Sequence, residues 1–227
     1  MIHLDEVAVA VSTADGDLAL LHPTTVALTE HRIALIGSNG SGKSTFARLL
    51  NGLIEPTAGR VTINGLDTKD DGAAVRRQVG FVFTDPNAQL VMPTCVEDIA
   101  LSLRRTIKDK GNRTNRAREI LDELGLADRA DTTVHALSGG EKQMLALAGV
   151  LATDPEILVA DEPTTLLDLR NTTLISDRLF ALRQQLILVT HDLDLALRCE
   201  RTLVIDDARV AFDGASKDAV DFYRNNA

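Results

Sequence analysis

Residues 37–44 read GSNGSGKS, a G-x-x-x-x-G-K-[ST] pattern that directly follows the apolar run RIALIG (32–37) and precedes STFARLLNGL (44–53). A short, continuous apolar run is what a strand buried on both faces looks like, and the segment after it reads as a helix. A glycine-rich turn between a buried strand and a helix constrains the fold strongly. Its glycines let successive backbone N–H groups converge on an anion, and the helix N-terminus adds positive potential. The pattern therefore predicts a phosphate cradle made by Gly37, Ser38, Asn39, Gly40, Ser41, Gly42, Lys43 and Ser44, with Thr45 next in line. In that reading Lys43 neutralises phosphate oxygens, and the Ser44 hydroxyl is placed to ligate Mg²⁺.

A second buried strand, ILVADE (157–162), ends in two carboxylates. Asp161 at the carboxyl edge of a parallel sheet sits where it can hold the Mg²⁺ shell beside Ser44, and Glu162 is suited to orient or deprotonate an attacking water. Taken alone, ADEP is also a plain N-cap and turn. The phosphate loop tips the balance toward chemistry. LSGGEKQ (137–143) opens the helix EKQMLALAGVLA, so Ser138, Gly139 and Gly140 form a second anion-binding helix terminus. One nucleotide already fills the loop of its own chain. A second phosphate-reading terminus implies that it serves another subunit, with two chains arranged head to tail. Of the five histidines, His191 alone ends a predicted strand (QLILVT, 185–190) at the ligand-binding edge of an open sheet, and it is read as a γ-phosphate contact.

Strands alternate with helices over the second half: EILVAD, a helix over 167–183, QLILVT, a helix over 192–199, then TLVID and RVAF. Such alternation means a parallel α/β sheet. ADGD (14–17) is a turn signal, and GRVTINGLD (59–67) belongs to a hairpin with an Asn-Gly turn. From Thr94, TCVEDIALSLRR offers a capping box closed by Glu97; a polar linker KDKGNRT follows, then a helix with Ala117, Ile120, Leu121 and Leu124 on one face and Gly125 at its end. Residues 85–138 thus read as a helical insert. At 227 residues, the chain is expected to be one domain over 1–227. A formal net charge of −9 argues against nucleic acid as the main partner. Cys95 and Cys199 have no metal or redox spacing, which suits inert thiols in a reducing compartment. No apolar run approaches a membrane span, and MIHLDEVAVAV lacks the basic region and cleavage pattern of a signal peptide.

In this order and spacing the motifs resemble those of the ATP-binding cassette (ABC) ATPases over nearly the whole chain. The resemblance implies a RecA-like P-loop NTPase core with a parallel sheet, an N-terminal antiparallel β subdomain and the helical subdomain at about 85–138. It implies ATP and Mg²⁺ as cofactors, Lys43, Glu162 and His191 as catalytic residues, and Ser44 and Asp161 as metal ligands. TTLLD, ending at Asp168, resembles the loop that reaches a second cassette, which is either an identical chain or a paralogue. The family often stacks an aromatic on adenine near Val11, and this chain has none there. Glu141 stands where the signature motif usually has glutamine, a surface change expected to be mild.

The stretch FVFTDPNAQL (81–90) departs from the family at Thr84, where a metal-reaching glutamine is usual; Thr84 is expected to leave that place to a water. Pro86-Asn87-Ala88-Gln89-Leu90 resembles the short Q-helix of energy-coupling-factor (ECF) importers, and the wider context is most similar to biotin-importer ATPases. The resemblance implies a transmembrane coupling subunit docking through Pro86–Leu90, with Gln89 and Leu90 facing it and Asp85 and Asp98 offering acidic contacts. A substrate-binding membrane subunit would be reached indirectly. The chain is then expected on the cytoplasmic face of the membrane as a peripheral subunit, with biotin as cargo. Cobalt, nickel or amino-acid import is the alternative, and a soluble ABC ATPase acting on nucleic acid or the ribosome a more distant one.

Overall fold

The computed structural model describes residues 1–14 and 16–226. The chain divides into two compact units, the first from residues 1–79, 156–162 and 182 onward, the second from 80–155 and 163–181. The second is wider than the helical insert read at 85–138.

In the first unit, β1 (Ile2–Thr13) and β2 (Gly16–Leu28) pair antiparallel. Asp15 of the ADGD turn lies outside the described residues. β3 (Arg32–Ile36) and α1 (Lys43–Leu49) flank the phosphate loop. β4 (Ala58–Ile63) and β5 (Leu66–Asp67) form the hairpin that Asn-Gly predicts: Asn64 and Gly65 lie at φ 50° and 84°, the left-handed pair such a two-residue turn needs. These strands make an antiparallel sheet in the order β2-β1-β4-β5. After α2 (Gly72–Gln78), β6 (Val79–Val82) carries the chain into the second unit, with α3 (Cys95–Ser102), α4 (Lys110–Glu123) and α5 (Gly139–Leu151). β7 (Ile157–Asp161) belongs to the first unit and α6 (Leu169–Phe180) to the second. The chain closes the first unit with β8 (Gln185–Val189), α7 (Leu193–Leu197), β9 (Arg201–Asp206), β10 (Arg209–Ala215) and α8 (Ser216–Asn226).

Within the first unit the second sheet runs β10-β9-β3-β8-β7, parallel except at β10. Every residue of β3 and β7 is buried, as their unbroken apolar runs require, and α1 packs on β7 and β8. The strand ends are in register: Leu35 and Asp161 both face Val189. That register brings the loops after β3, β7 and β8 to one edge.

The second unit is helical and its caps are explicit. The Thr94 amide and hydroxyl both donate to Glu97, at 3.2 and 2.7 Å. The polar linker expected over 108–114 is instead largely the first turn of α4: Asp109 accepts from the Asn112 amide at 2.8 Å, which overrides the low apolar content of KGNRT. Ala117, Ile120 and Leu121 are buried as read, and Gly125 leaves the helix at φ 73°. Both cysteines are buried, and burial pushes the Cys199 thiol up to about 12.

Two expectations about residues 85–98, those for Gln89 and Asp98, need correction. Gln89 is turned inward within its own unit, its oxygen accepting from the Phe83 amide at 3.4 Å and its nitrogen donating to the Ala146 carbonyl at 3.2 Å. The segment before it is a 3₁₀ turn, Pro86–Ala88, and this geometry swings Gln89 toward α5. Asp98 is only 7% exposed and accepts from the amides of Val91 and Met92 at 2.9 and 3.0 Å, so it stitches the loop to α3. Asp85 caps the 3₁₀ turn, accepting from the Asn87 amide and side chain. The exposed apolar residue here is Val91, at 68%. Replacing Gln89 with leucine should therefore cost about 1–2 kcal/mol in chemical denaturation, because the Phe83 and Ala146 groups lose their partner. Val91→Asp should change stability by less than about 0.5 kcal/mol.

Candidate active site

The first unit brings Gly37–Thr45, Asp161, Glu162 and His191 together at the carboxyl edge of its parallel sheet. The loop is walled by backbone. A Cβ on Gly37, which sits at φ 148°, would lie 2.0 Å from the Ile205 carbonyl oxygen, and one on Gly42 would lie 2.8 Å from that of Leu20. Only glycine fits where β2 and β9 approach this closely. The Ala208 amide donates to the Ser41 carbonyl at 3.0 Å, and the Ala208 carbonyl accepts from His22 at 2.7 Å. No motif in the sequence marks Leu20, Ile205 or Ala208, because they act through backbone atoms.

Lys43, 5% exposed, holds its ammonium between the carbonyls of Gly37 and Ser38, at 2.8 and 2.7 Å. Burial lowers its pKa, opposed by the charges of Glu162 and Asp161. The Ser41 hydroxyl is buried without a hydrogen-bond partner in its surroundings, an orphan that a phosphate oxygen would satisfy. Ser38, Asn39 and Gly40 are exposed at the mouth of the loop, and Thr45 follows Ser44 in the first turn of α1.

The Ser44 hydroxyl donates to Asp161 at 3.0 Å. Asp161 is 2% exposed, and burial raises its pKa against the pull of the Ser44 hydrogen bond, Arg48 and Lys43. A hydroxyl and a carboxylate in contact supply two hard oxygen ligands of the kind Mg²⁺ takes, with phosphate and water completing the shell. Among the described residues, no group of three or more His, Cys, Asp and Glu could hold a metal by itself. The donor set therefore fits a nucleotide-borne Mg²⁺.

Glu162 leaves β7 at φ 51°, a left-handed conformation rare outside glycine and enriched at functional sites. Its amide donates to the Val189 carbonyl at 3.0 Å, and its carboxylate pairs with His191 Nδ1 at 2.5 Å. A carboxylate only accepts, so in this pair Nδ1 carries the hydrogen. Two adjacent carboxylates thus have different partners, Ser44 for one and His191 for the other.

Ser138, Gly139, Gly140 and Asp168 belong to the second unit. Ser138 caps α5 in a full capping box: its hydroxyl accepts from the Glu141 amide at 3.3 Å, and its amide donates to the Glu141 carboxylate at 2.8 Å. The position expected to tolerate glutamate as a mild surface change is thus a working member of the cap. A Cβ on Gly140 would meet Asn171 at 2.3 Å. Asp168 caps α6, accepting from the Asn171 amide at 2.8 Å, and Leu166 and Leu169 on either side are 65% and 83% exposed.

The profile of the ABC transporter family matches residues 25–165. The chain is 45% identical over 212 residues to the biotin transport ATP-binding protein BioM of Rhizobium etli, covering 93% of this chain and 94% of that one. It is 39% identical over 188 residues to the energy-coupling factor transporter ATP-binding protein EcfA1 of Halalkalibacterium halodurans, covering 81% and 68%. The dimeric, post-hydrolysis structure of the ATP-binding cassette MJ0796 bound to ADP and Pi superposes with a TM-score of 0.85 at 30% identity, covering 95% of this chain and 99% of that one. With a glycine-rich loop and two adjacent carboxylates at one sheet edge, the chain belongs to the ABC transporter family, as one of its ATP-hydrolysing subunits.

Proposed function

We propose that this subunit energises an ECF-type importer, that its cargo is biotin, and that Gly37–Thr45, Asp161, Glu162 and His191 carry the hydrolysis. The observation that supports the site assignment is the division of labour between Asp161, held by Ser44, and Glu162, turned toward His191. In this reading the Gly37–Ser44 amides and Lys43 bind the phosphates, and Ser44 and Asp161 hold Mg²⁺. Bound there, Mg²⁺ would draw negative charge from the phosphoryl oxygens. Glu162 orients the attacking water and takes its proton as the water oxygen bonds the γ-phosphorus and the bond to the leaving ADP oxygen breaks. His191, fixed through Nδ1, turns Nε2 to the γ-phosphoryl group.

Ser138, Gly139 and Gly140 of a second copy or paralogue complete the site, as two anion-binding termini in one chain require. Asp168, flanked by exposed leucines, lies on the face that meets that second cassette. The transmembrane coupling subunit docks on the second unit at a groove of about 570 Å³ lined by Met92, Val96, Leu101, Arg104 and Lys110 among others. The exposed Val91 precedes the lining residue Met92, so Val91→Asp should weaken assembly with the membrane subunits while ATP affinity stays unchanged. No described helix is long and apolar enough to cross a membrane, so attachment to it would come through this groove.

Cargo is chosen by a separate membrane protein, and the biotin assignment rests on the BioM similarity. The test is ATP-dependent uptake into vesicles reconstituted with the membrane subunits, using labelled biotin, Co²⁺, Ni²⁺ and amino acids in parallel. Biotin uptake that stops when this chain is omitted is the expected result. Uptake of a metal ion or amino acid in place of biotin would overturn the cargo, and no uptake of any would overturn the importer.

A further inference from the structure

Glu141 and its neighbour Arg129 make a charge arrangement at the start of α5 that the capping geometry does not require. One Glu141 oxygen accepts from the Ser138 amide at 2.8 Å, and the other accepts from Arg129 Nε at 2.9 Å. Ser138's hydroxyl oxygen accepts from the Glu141 amide, and its side chain also helps hold the Glu141 carboxyl low. The amides of Gly139 and Gly140, in the first turn, have no carbonyl inside the helix to bond. These donors face a terminus whose partial positive charge amounts to about half an elementary charge. A full negative charge at Glu141 more than cancels that potential. The Glu141 carboxyl is held below the usual carboxylate range, first by the Ser138 backbone hydrogen bond and then by the Ser138 side chain and Arg129, so the charge is present.

Arg129 is the group that removes the conflict. It ends the 3₁₀ turn Ala127–Arg129, whose backbone is held by amides of Leu126 and Arg129 bonded to Leu121 and Leu126, so the side chain is not needed to form the turn. The ion pair is well exposed, 51% at Arg129 and 27% at Glu141, and a pair of that exposure adds little to fold stability. Its electrostatic effect is felt by whatever approaches the helix terminus. We propose that Arg129 is a positioning residue for the hydrolysis reaction: it neutralises Glu141 and so keeps the Ser138–Gly140 terminus attractive to the γ-phosphate bound by a second cassette. This rests on the reading that the terminus completes the partner's site.

The experiment measures ATP-driven association of the Glu162→Gln protein by sedimentation, with Arg129→Ala, Glu141→Gln and the double change added. Arg129→Ala should raise the protein concentration needed for half association about tenfold, and the defect should shrink in high salt. Adding Glu141→Gln to Arg129→Ala should bring association back to within about twofold, because the neutral amide leaves no charge to compensate. A merely structural Arg129 would give a melting-temperature loss that Glu141→Gln does not repair. Association unaffected by Arg129→Ala, or a defect not rescued in the double variant, would overturn the inference. Ser138→Arg separates the layers. If it abolishes association while Arg129→Ala does nothing, the shared-site reading stands and Arg129 has no part in it. If Ser138→Arg associates normally, the shared site itself is wrong, and the inference falls with it.

Discussion

Replacing Glu162 with glutamine should lower the ATP turnover number about 10²–10⁴-fold, the usual range for a positioned general base, while ATP affinity stays within about twofold of the wild type. The change keeps the side chain's size and its ability to accept from His191 Nδ1 through the amide oxygen. It removes the carboxylate's capacity to take a proton. The Gly37–Ser44 loop is held by backbone contacts to Ile205, Leu20 and Ala208 and by Lys43 through the Gly37 and Ser38 carbonyls. Binding and chemistry are therefore separable at this residue. With hydrolysis slowed, ATP-bound pairs of cassettes should accumulate, because ATP favours the closed arrangement and is no longer consumed. Single-turnover hydrolysis and equilibrium titration measure the two quantities independently. Near wild-type turnover would remove Glu162 from the mechanism and leave His191 without its proposed partner in it.

The motif-bearing core was legible because its physics is local. RIALI and ILVAD announce buried strands by unbroken apolar runs, and each is followed at once by its candidate site residues, so strand order alone brings Lys43, Asp161 and His191 to one edge. The Asn64–Gly65 turn and the Thr94–Glu97 cap were readable for the same reason. Misread features depend on side-chain direction or on contacts distant in sequence. Gln89 has the sequence of an outward-facing residue, but the 3₁₀ turn before it rotates its amide onto Phe83 and Ala146. Asp98 reads as a helix-surface acid, yet it serves two loop amides that sit six and seven residues earlier. The Arg129–Glu141 pair spans twelve residues and carries no periodic signal.

Lys43→Ala should do the reverse of Glu162→Gln, losing nucleotide binding before chemistry is reached. The ammonium is 5% exposed, and burial lowers its pKa, so its charge is held in a place that disfavours it. The sign of the linkage follows: with the native pKa below the ordinary lysine value, the unfolded chain binds more protons between the two, and the empty protein gains stability as pH rises through that alkaline window. At neutral pH the charge is an unfavourable feature of the empty fold, offset in part by the two carbonyls it holds at 2.8 and 2.7 Å. In the proposed reading its value is realised with anionic phosphate in the loop, where a desolvated charge pair would form. Truncating one member of such a pair costs about 2–5 kcal/mol, so ATP affinity should fall roughly 30- to 4000-fold. Binding stabilises the native state as the logarithm of one plus ligand concentration over Kd, so the stabilisation of about 2.7 kcal/mol expected at a hundredfold excess over the wild-type Kd should fall to about 0.9 kcal/mol or less. Calorimetric titration gives the affinity and differential scanning gives the shift, each with and without nucleotide. An empty variant that melts as the wild type does, and still tightens with ATP to the same extent, would mean that the backbone amides of residues 37–44 bind the phosphates without Lys43.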